Sequence, residues 1–329
     1  MKAYKFLVLL IGAVFVSCSS VKVISYDELK PAQVSFPPQV RNIAVVNNMP
    51  PVPQARQGVV TIGDLDGDGK LSAESLASSL ADTRYFRQVM ICDSALYASD
   101  SSEVRYQLDM NTVNELLQDL DADMLFSLDR VFIQTKRVEL LYPDMPVAWP
   151  VLNVKMAPVL SLYIANKERP VQIITKTDSL QLDLNGLLSD NDIRQAVASA
   201  AASMLSRQLV PYWVSTERLY FDGGGVEMRD AGVYVRENDW KNALDIWQSL
   251  YDHSKSKKIK ARTACNIALA YEMLGNLEDA QKWLDSAESS ASEGSDEARV
   301  IQIYKVKLME RLKETPYLNM QMGRFGNKF

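Results

Sequence analysis

The sequence predicts an N-terminal mixed domain, α+β or α/β, with the order β-α-β-α-β-β-β-α over residues 40–222, followed by an all-α domain over 226–315. Two patterns carry this. Between residues 40 and 210, short runs rich in Val, Ile and Phe alternate with stretches whose apolar residues recur three and four apart, the mark of strands joined through helices. After Gly223-Gly224-Gly225 the β-rich runs stop and a helical period takes over. The composition, 47% hydrophobic and 23% charged over 329 residues, excludes a disordered chain and suffices for two cores.

The N-terminus reads as an address. Lys2 and Lys5 precede Phe6–Val16, an uncharged apolar run of eleven residues. About 20 residues are needed to span a bilayer as a helix, so this run fits a signal peptide better than a membrane span. Val14-Phe15-Val16-Ser17-Cys18-Ser19-Ser20 places a small residue directly before a cysteine and resembles the lipobox of bacterial lipoproteins, with Phe15 where Leu is usual. The resemblance implies cleavage after residue 17, acylation of Cys18 and a membrane partnership through that lipid; Ser19 then implies the outer membrane, facing the periplasm. Removing residues 1–17 takes the net charge from −5 to −7. Cys92 and Cys265 lie in apolar runs and read as small core residues, although an extracytoplasmic setting permits a disulfide.

Residues 18–39, with Pro31, Pro37 and Pro38, read as a tether holding at most a short edge strand at Val21–Ser25. Arg41–Val46 is a buried-strand signal, and the turn-rich Asn47–Gln57 follows. A helix opens near Ser72 with Leu76, Ala77 and Leu80 on one side. Val89–Cys92 is the second strand. Asn111–Leu120 is the second helix, with Val113, Leu116, Leu117 and Leu120 on one stripe and Asn111 or Thr112 as cap. Asp123–Gln134 is the third strand. Val151–Ala165 and Pro170–Leu184 flank the polar turn Asn166–Arg169 and pair as a hairpin, and Asn191–Gln208 is an Ala-rich helix able to pack closely on a sheet. Asn42-Ile43-Ala44-Val45-Val46, Tyr85-Phe86-Arg87-Gln88-Val89 and Leu120-Asp121-Ala122-Asp123-Met124-Leu125 give this region a similarity to the small α/β domain of the TolB N-terminal type, also found in curli-secretion and penicillin-binding-protein-activator lipoproteins.

One segment bears on a metal. Asp64, Asp66 and Asp68 stand at positions 1, 3 and 5 of an EF-hand-like loop, with Gly69 at 6, the Lys70 carbonyl at 7 and Ser72 at 9. Those oxygens would begin a calcium shell, and calcium is the one cofactor the sequence suggests. Position 12 is Ser75 rather than a bidentate Glu, and Pro53 and Gly58 break the segment where a preceding helix belongs. The alternative is an Asp/Gly turn feeding a capped helix.

The C-terminal third repeats itself. Ala231-x-x-Tyr234, Asn238-Asp239-Trp240 and Ala243-x-x-x-Trp247 align with Ala268-x-x-Tyr271, Gly275-Asn276-Leu277 and Ala280-x-x-x-Leu284. This resembles tetratricopeptide repeats, in which small residues let paired helices approach and aromatics fill the gap. Ala243 and Ala280 are 37 residues apart, and the surplus over the usual 34 fits the basic loop His253–Lys260. Asp296–Glu314 reads as a capping helix. Tyr234, Trp240, Trp247, Tyr271 and Trp283 are core aromatics or, if they line a groove, the candidate protein-binding residues. Residues 316–329 read as a flexible tail.

The lipobox, the strand Ile43-Ala44-Val45-Val46-Asn47-Asn48, the segment Leu209–Trp213 and the repeats together resemble Bacteroidota outer-membrane lipoproteins of unknown function. The acidic balance of the chain argues against general nucleic-acid binding. The single histidine, His253, excludes any Ser-His-Asp or Cys-His device not built on that one residue, and three cysteines leave no four-thiolate zinc site. The expectation is a non-catalytic, lipid-anchored envelope protein that binds protein partners through its helices. The alternative is a small-ligand or glycan-binding protein using Tyr142, Trp149 and Tyr163 of the mixed domain.

Overall fold

The computed structural model describes residues 20–52, 58–93, 95–96, 107–141, 148–184 and 188–326. These fall into two units, Leu29–Tyr212 with Tyr317–Phe329, and residues 20–28 with Trp213–Pro316. The signal peptide and Cys18 lie outside the described residues.

The first unit is mixed α/β. Strand β2 (Asn42–Asn47) runs parallel to and between β4 (Gln88–Cys92) and β5 (Met124–Leu140). Ile43, Ala44, Val45 and Val46 are all fully buried because helices cover both faces, which is why the run is apolar without alternation. Helices α1 (Gly69–Asp82) and α3 (Asp190–Leu209) bring Leu76, Leu80, Ile193, Val197 and Ala201 to the core containing Ile43 and Val45. Helix α2 (Met110–Asp119) brings Val113 and Leu117 to Ala44, Val46, Leu125 and Tyr163 on the other face. The caps fall slightly ahead of expectation: the Asp68 carboxylate accepts the Leu71 amide, and Asp109 accepts the amides of Asn111 and Thr112.

β5 and β6 (Trp149–Tyr163) form a long antiparallel hairpin with a bulge between Leu128 and Arg130. β3 (Gly63–Asp66) joins the far half of β5. The run Pro170–Leu184 divides into β7 (Gln172–Thr175) and β8 (Asp178–Asp183), which pair with β6 on either side of Pro158 in a single register. Proline has no N–H to give the ladder, so pairing lapses beside it. Two further expectations change. Val34, Phe36 and Val40 are core residues, Phe36 stacking on Phe126 at 5.7 Å, so the segment expected as tether is folded in. Residues 317–325 are ordered too: the Gln321 amide group accepts from the Ala32 N–H at 2.9 Å and donates to the carbonyls of Ala32 and Val34 at 2.9 and 3.1 Å.

The second unit is helical apart from a ribbon of β1 (Val21–Lys30) and β9 (Tyr212–Phe221). α4 (Val226–Arg236), α5 (Trp240–His253), α6 (Lys257–Met273) and α7 (Leu277–Ser290) are followed by α8 (Asp296–Met322), which continues past Pro316. Asp239, Ser256 and Asn276 cap α5, α6 and α7. Small residues on α6 (Ala261, Ala264, Ala268) are fully buried and meet Ala243, Trp247, Ala280 and Ala287 in one core. Cys265 is buried there as a free thiol, its pKa pushed up to about 12 by burial.

Candidate functional site

The helical unit uses one face of α6 to hold its own ribbon. The Asn266 side chain donates to the Phe221 carbonyl at 2.7 Å and accepts the Phe221 N–H at 2.8 Å, the pairing a neighbouring strand would make. Arg262 donates to the Gly223 carbonyl at 2.8 Å and Lys307 to the Glu217 carbonyl at 2.8 Å. One turn beyond Ala268, Glu272 is fully buried and accepts from Arg218 (2.8 and 3.2 Å), Arg311 (2.8 Å) and the Tyr26 hydroxyl (3.1 Å). Glu28, also buried, lies 3.3 Å from the same Arg218. Burial pushes the Glu272 carboxyl up, but the two guanidinium groups outweigh it and hold it below the usual carboxylate range. Tyr26 is pushed well up by burial and by Glu272. The network is balanced, two cations to two anions, and acts as a rivet between strand and helix.

The aromatics expected in the helices divide. Trp247 is fully buried and Trp240 nearly so, so both are core. Tyr234, Tyr271 and Trp283 are half-buried against that core; Tyr271 accepts from Gln248 at 3.1 Å, and Trp283 meets Tyr251 edge to face at 5.0 Å. None of the five forms an open aromatic groove. An exposed apolar stripe lies instead on α8, where Ile303, Val306 (69% exposed) and Met309 lie three residues apart. Tyr304 and Leu308 point into the core, and Lys305 pairs with Glu288 and Asp285 of α7, so the stripe faces away from both.

In the mixed unit the candidate calcium residues diverge. Asp64 and Asp66 lie on β3, where Asp64 accepts from Gln134 at 3.2 Å and Asp66 sits 3.6 Å from Arg130. Asp68 is the α1 cap, and Lys70 and buried Ser72 are inside α1, where their carbonyls serve the helix. An EF-hand curls such residues around an ion; here an extended strand followed directly by a helix separates them. Among the described residues no three Asp, Glu, His or Cys side chains converge to hold a metal.

Of the expected glycan-binding aromatics, Tyr142 lies outside the described residues. Tyr163 is fully buried and its hydroxyl accepts the Leu108 amide at 3.1 Å, so it is a core residue. Trp149 is partly exposed at the start of β6, opposite Leu140. A different aromatic occupies an open concavity of about 480 Å³ on the sheet: Phe132, 44% exposed, under the Arg130 guanidinium at 4.1 Å, bordered by Asp64, Asp66, Gln134 and Lys155. The signal for it was the alternation Arg130-Val131-Phe132-Ile133-Gln134, in which Val131 and Ile133 point inward and Phe132 must point out. Behind the bulge the buried Asp129 accepts from Ser127 (2.6 Å), Ser161 (2.5 Å) and Asn48 (2.9 Å); burial raises its pKa against those donors.

A family model described as a domain of unknown function (DUF8603) matches residues 40–221, and a second (DUF6340) matches residues 229–310. No curated protein matches the chain. Among solved structures, a minor lipoprotein from Acinetobacter baumannii matches 52% of this chain and 90% of its own at 8% identity, with a TM-score of 0.25, a superposition too loose to bear on fold or function.

Proposed function

This chain belongs to the DUF8603 family, a domain of unknown function, and we propose that it is a lipid-anchored, non-catalytic accessory protein of the bacterial cell envelope that acts by binding another protein. The anchor follows from the resemblance of Val14–Ser20 to a lipobox, which places the protein at the outer membrane facing the periplasm. Bacteroidota lipoproteins remain the source the resemblance suggests. The helical unit is read as tetratricopeptide-like because α4–α5 and α6–α7 carry the repeated small-and-aromatic pattern and bury those residues between helices.

One observation carries the binding role. The last helix of a repeat stack needs a polar outer face, since no further repeat covers it. α8 instead exposes Ile303, Val306 and Met309. The occupant that fits is an amphipathic helix of a partner, lying where the next repeat would pack. The α6 face is taken by the protein's own ribbon, whereas this stripe is open. Crosslinking in native envelopes, with the full-length protein as bait, tests it. Ile303→Glu with Val306→Glu is expected to remove the partners that the parent captures while leaving its circular dichroism unchanged. An identical partner set from the folded double variant refutes the proposal.

A second reading rests on Phe132. An exposed ring bordered by Arg130, Gln134 and two carboxylates on a concave sheet is suited to a saccharide, whose C–H face stacks on the ring while its hydroxyls bond the rim. Glycan-array binding that disappears in Phe132→Ala supports it, and an array without signal removes it.

A further inference from the structure

The anchor of this protein has almost no slack. Residue 20 is already fixed: its carbonyl accepts the amides of Asp222 and Gly223 at 2.9 and 3.3 Å, and its hydroxyl accepts from Arg262 at 3.3 Å. Residue 18 is two peptide units away, so its Cα lies within about 7.6 Å of that of Ser20. A lipid on Cys18 therefore leaves the protein beside Arg262, near the start of α6, rather than at the end of a long tether. A run of lysines begins close to that point. Lys258 is one helical turn before Arg262, about 6 Å along the axis, and shares Glu297 with it, at 3.5 and 2.7 Å. Lys255, Lys257 and Lys260 complete a run of four lysines in six residues. Lys255 and Lys257 are exposed and have no ionic partner among the described residues, and Lys260 lies over the Tyr251 ring at 4.9 Å. Acidic groups are present on the same end: Glu227 in the first turn of α4, Asp252 in the last turn of α5 and Asp296 in the first turn of α8. Glu297 is already engaged by Arg262 and Lys258.

We propose that the loop and first turn of α6, Lys255–Lys260, form a docking edge for anionic phospholipid headgroups, so that the acyl group at Cys18 and these lysines seat the helical unit against the bilayer end-on. This rests on the lipobox reading above. The lipid holds the protein to the bilayer, and the lysines set which end of the helical unit faces it. An acidic protein would satisfy the same lysines, but the length of chain to the lipid favours the membrane, because the headgroups lie within about one Debye length, 8–10 Å, of the anchor.

The test uses the full-length, acylated protein carrying Cys92→Ser and an environment-sensitive fluorophore at His253→Cys, beside the lysine run. A second preparation carries it at Glu278→Cys, beyond the other end of α6, which is 17 residues or about 25 Å long. Both are bound to vesicles of equal parts phosphatidylethanolamine and phosphatidylglycerol containing a headgroup quencher. Quenching is expected to be at least about twofold stronger at position 253 than at 278, and to become equal in Lys255→Gln with Lys257→Gln and Lys258→Gln, or in phosphatidylcholine vesicles. Equal quenching at both positions in the parent, with the protein still floating with vesicles, overturns the docking edge but leaves the anchor standing. Absence of fatty-acid labelling at Cys18 together with absence of flotation overturns the anchor, and the docking edge with it.

Discussion

Replacing Glu272 by glutamine removes one charge from a fully buried site. Its carboxylate receives four hydrogen bonds, two from Arg218 and one each from Arg311 and Tyr26, at 2.8 to 3.2 Å. In Glu272→Gln both guanidinium groups stay and the one remaining carboxylate, Glu28, approaches Arg218 no closer than 3.3 Å. Breaking a buried ion pair by removing one partner costs about 3–5 kcal/mol, a large share of the 5–15 kcal/mol that holds a typical domain together. With a urea dependence of about 2 kcal/mol/M, the midpoint of the helical transition falls by about 2 M. Urea unfolding followed at 222 nm measures this. The exposed pair Arg299–Asp296 is the control, and Arg299→Ala leaves the midpoint where it was. The pH dependence has a definite sign. Glu272 is lowered in the folded state, so its stabilisation is complete above the unfolded carboxyl pKa of about 4.5 and fades as pH falls through the folded value. The parent therefore loses more stability than Glu272→Gln in that acid window. A midpoint shift under about 0.5 M, or parallel pH curves, would show that the network is not the rivet described.

Three more outcomes follow from the mixed unit. Asp129 has a raised pKa, so stability is lost as pH rises through that value; Asp129→Asn keeps the Asn48 bond, removes this dependence and is neutral or stabilising at pH 7 by thermal unfolding, whereas Asp129→Ala strands Ser127, Ser161 and Asn48 and costs about 2 kcal/mol or more. Gln321→Ala leaves the Ala32 amide and two carbonyls without partners and lowers stability by about 1–3 kcal/mol in urea titrations, while a flexible tail would make it silent. Tyr163→Phe costs about 1–2 kcal/mol through the lost Leu108 bond and leaves any glycan binding intact, readable by calorimetry and array.

Sequence pattern revealed what repeats locally. The strand at Asn42–Asn47, the three helices of the mixed unit and all five C-terminal helices have a period of their own, so they were legible. What was missed depends on distant partners. β9 follows a helix and precedes three glycines, and its alternation is broken by Arg218, which points inward only because Glu28 and Glu272 await it. Those partners are 190 and 54 residues away. A signal did exist in α6: Cys265, Ala268 and Glu272 lie on one stripe, and a carboxylate on an otherwise apolar face announces a buried partner. The strand β3 was hidden because Asp64-Leu65-Asp66 has the composition of a turn; its pairing comes from the exposed edge of β5, and no local preference would have chosen it. Phe132 is exposed, as Trp149 is, whereas the Tyr163 hydroxyl serves the core.

The pairing of β1 with β9 also orders the birth of the molecule. Residues 20–28 are made early, yet their partners, from Trp213 onward, arrive only after residues 29–212 have been made. Residues 29–212 of the mixed unit lie between the two flanks of the helical one in the chain, and the helical unit can close only when both flanks are present. Until then Tyr220, Phe221 and the polar row on α6 have nothing to meet, and β1 is a bare edge open to any extended chain. A fragment confined to residues 229–310 would inherit that problem permanently, with Asn266, Glu272 and Arg262 facing solvent where a ribbon belongs. A circular permutant that opens the chain within the mixed unit and joins the ends elsewhere would bring the two strands together early, and would be expected to fold the helical unit faster than the natural order allows.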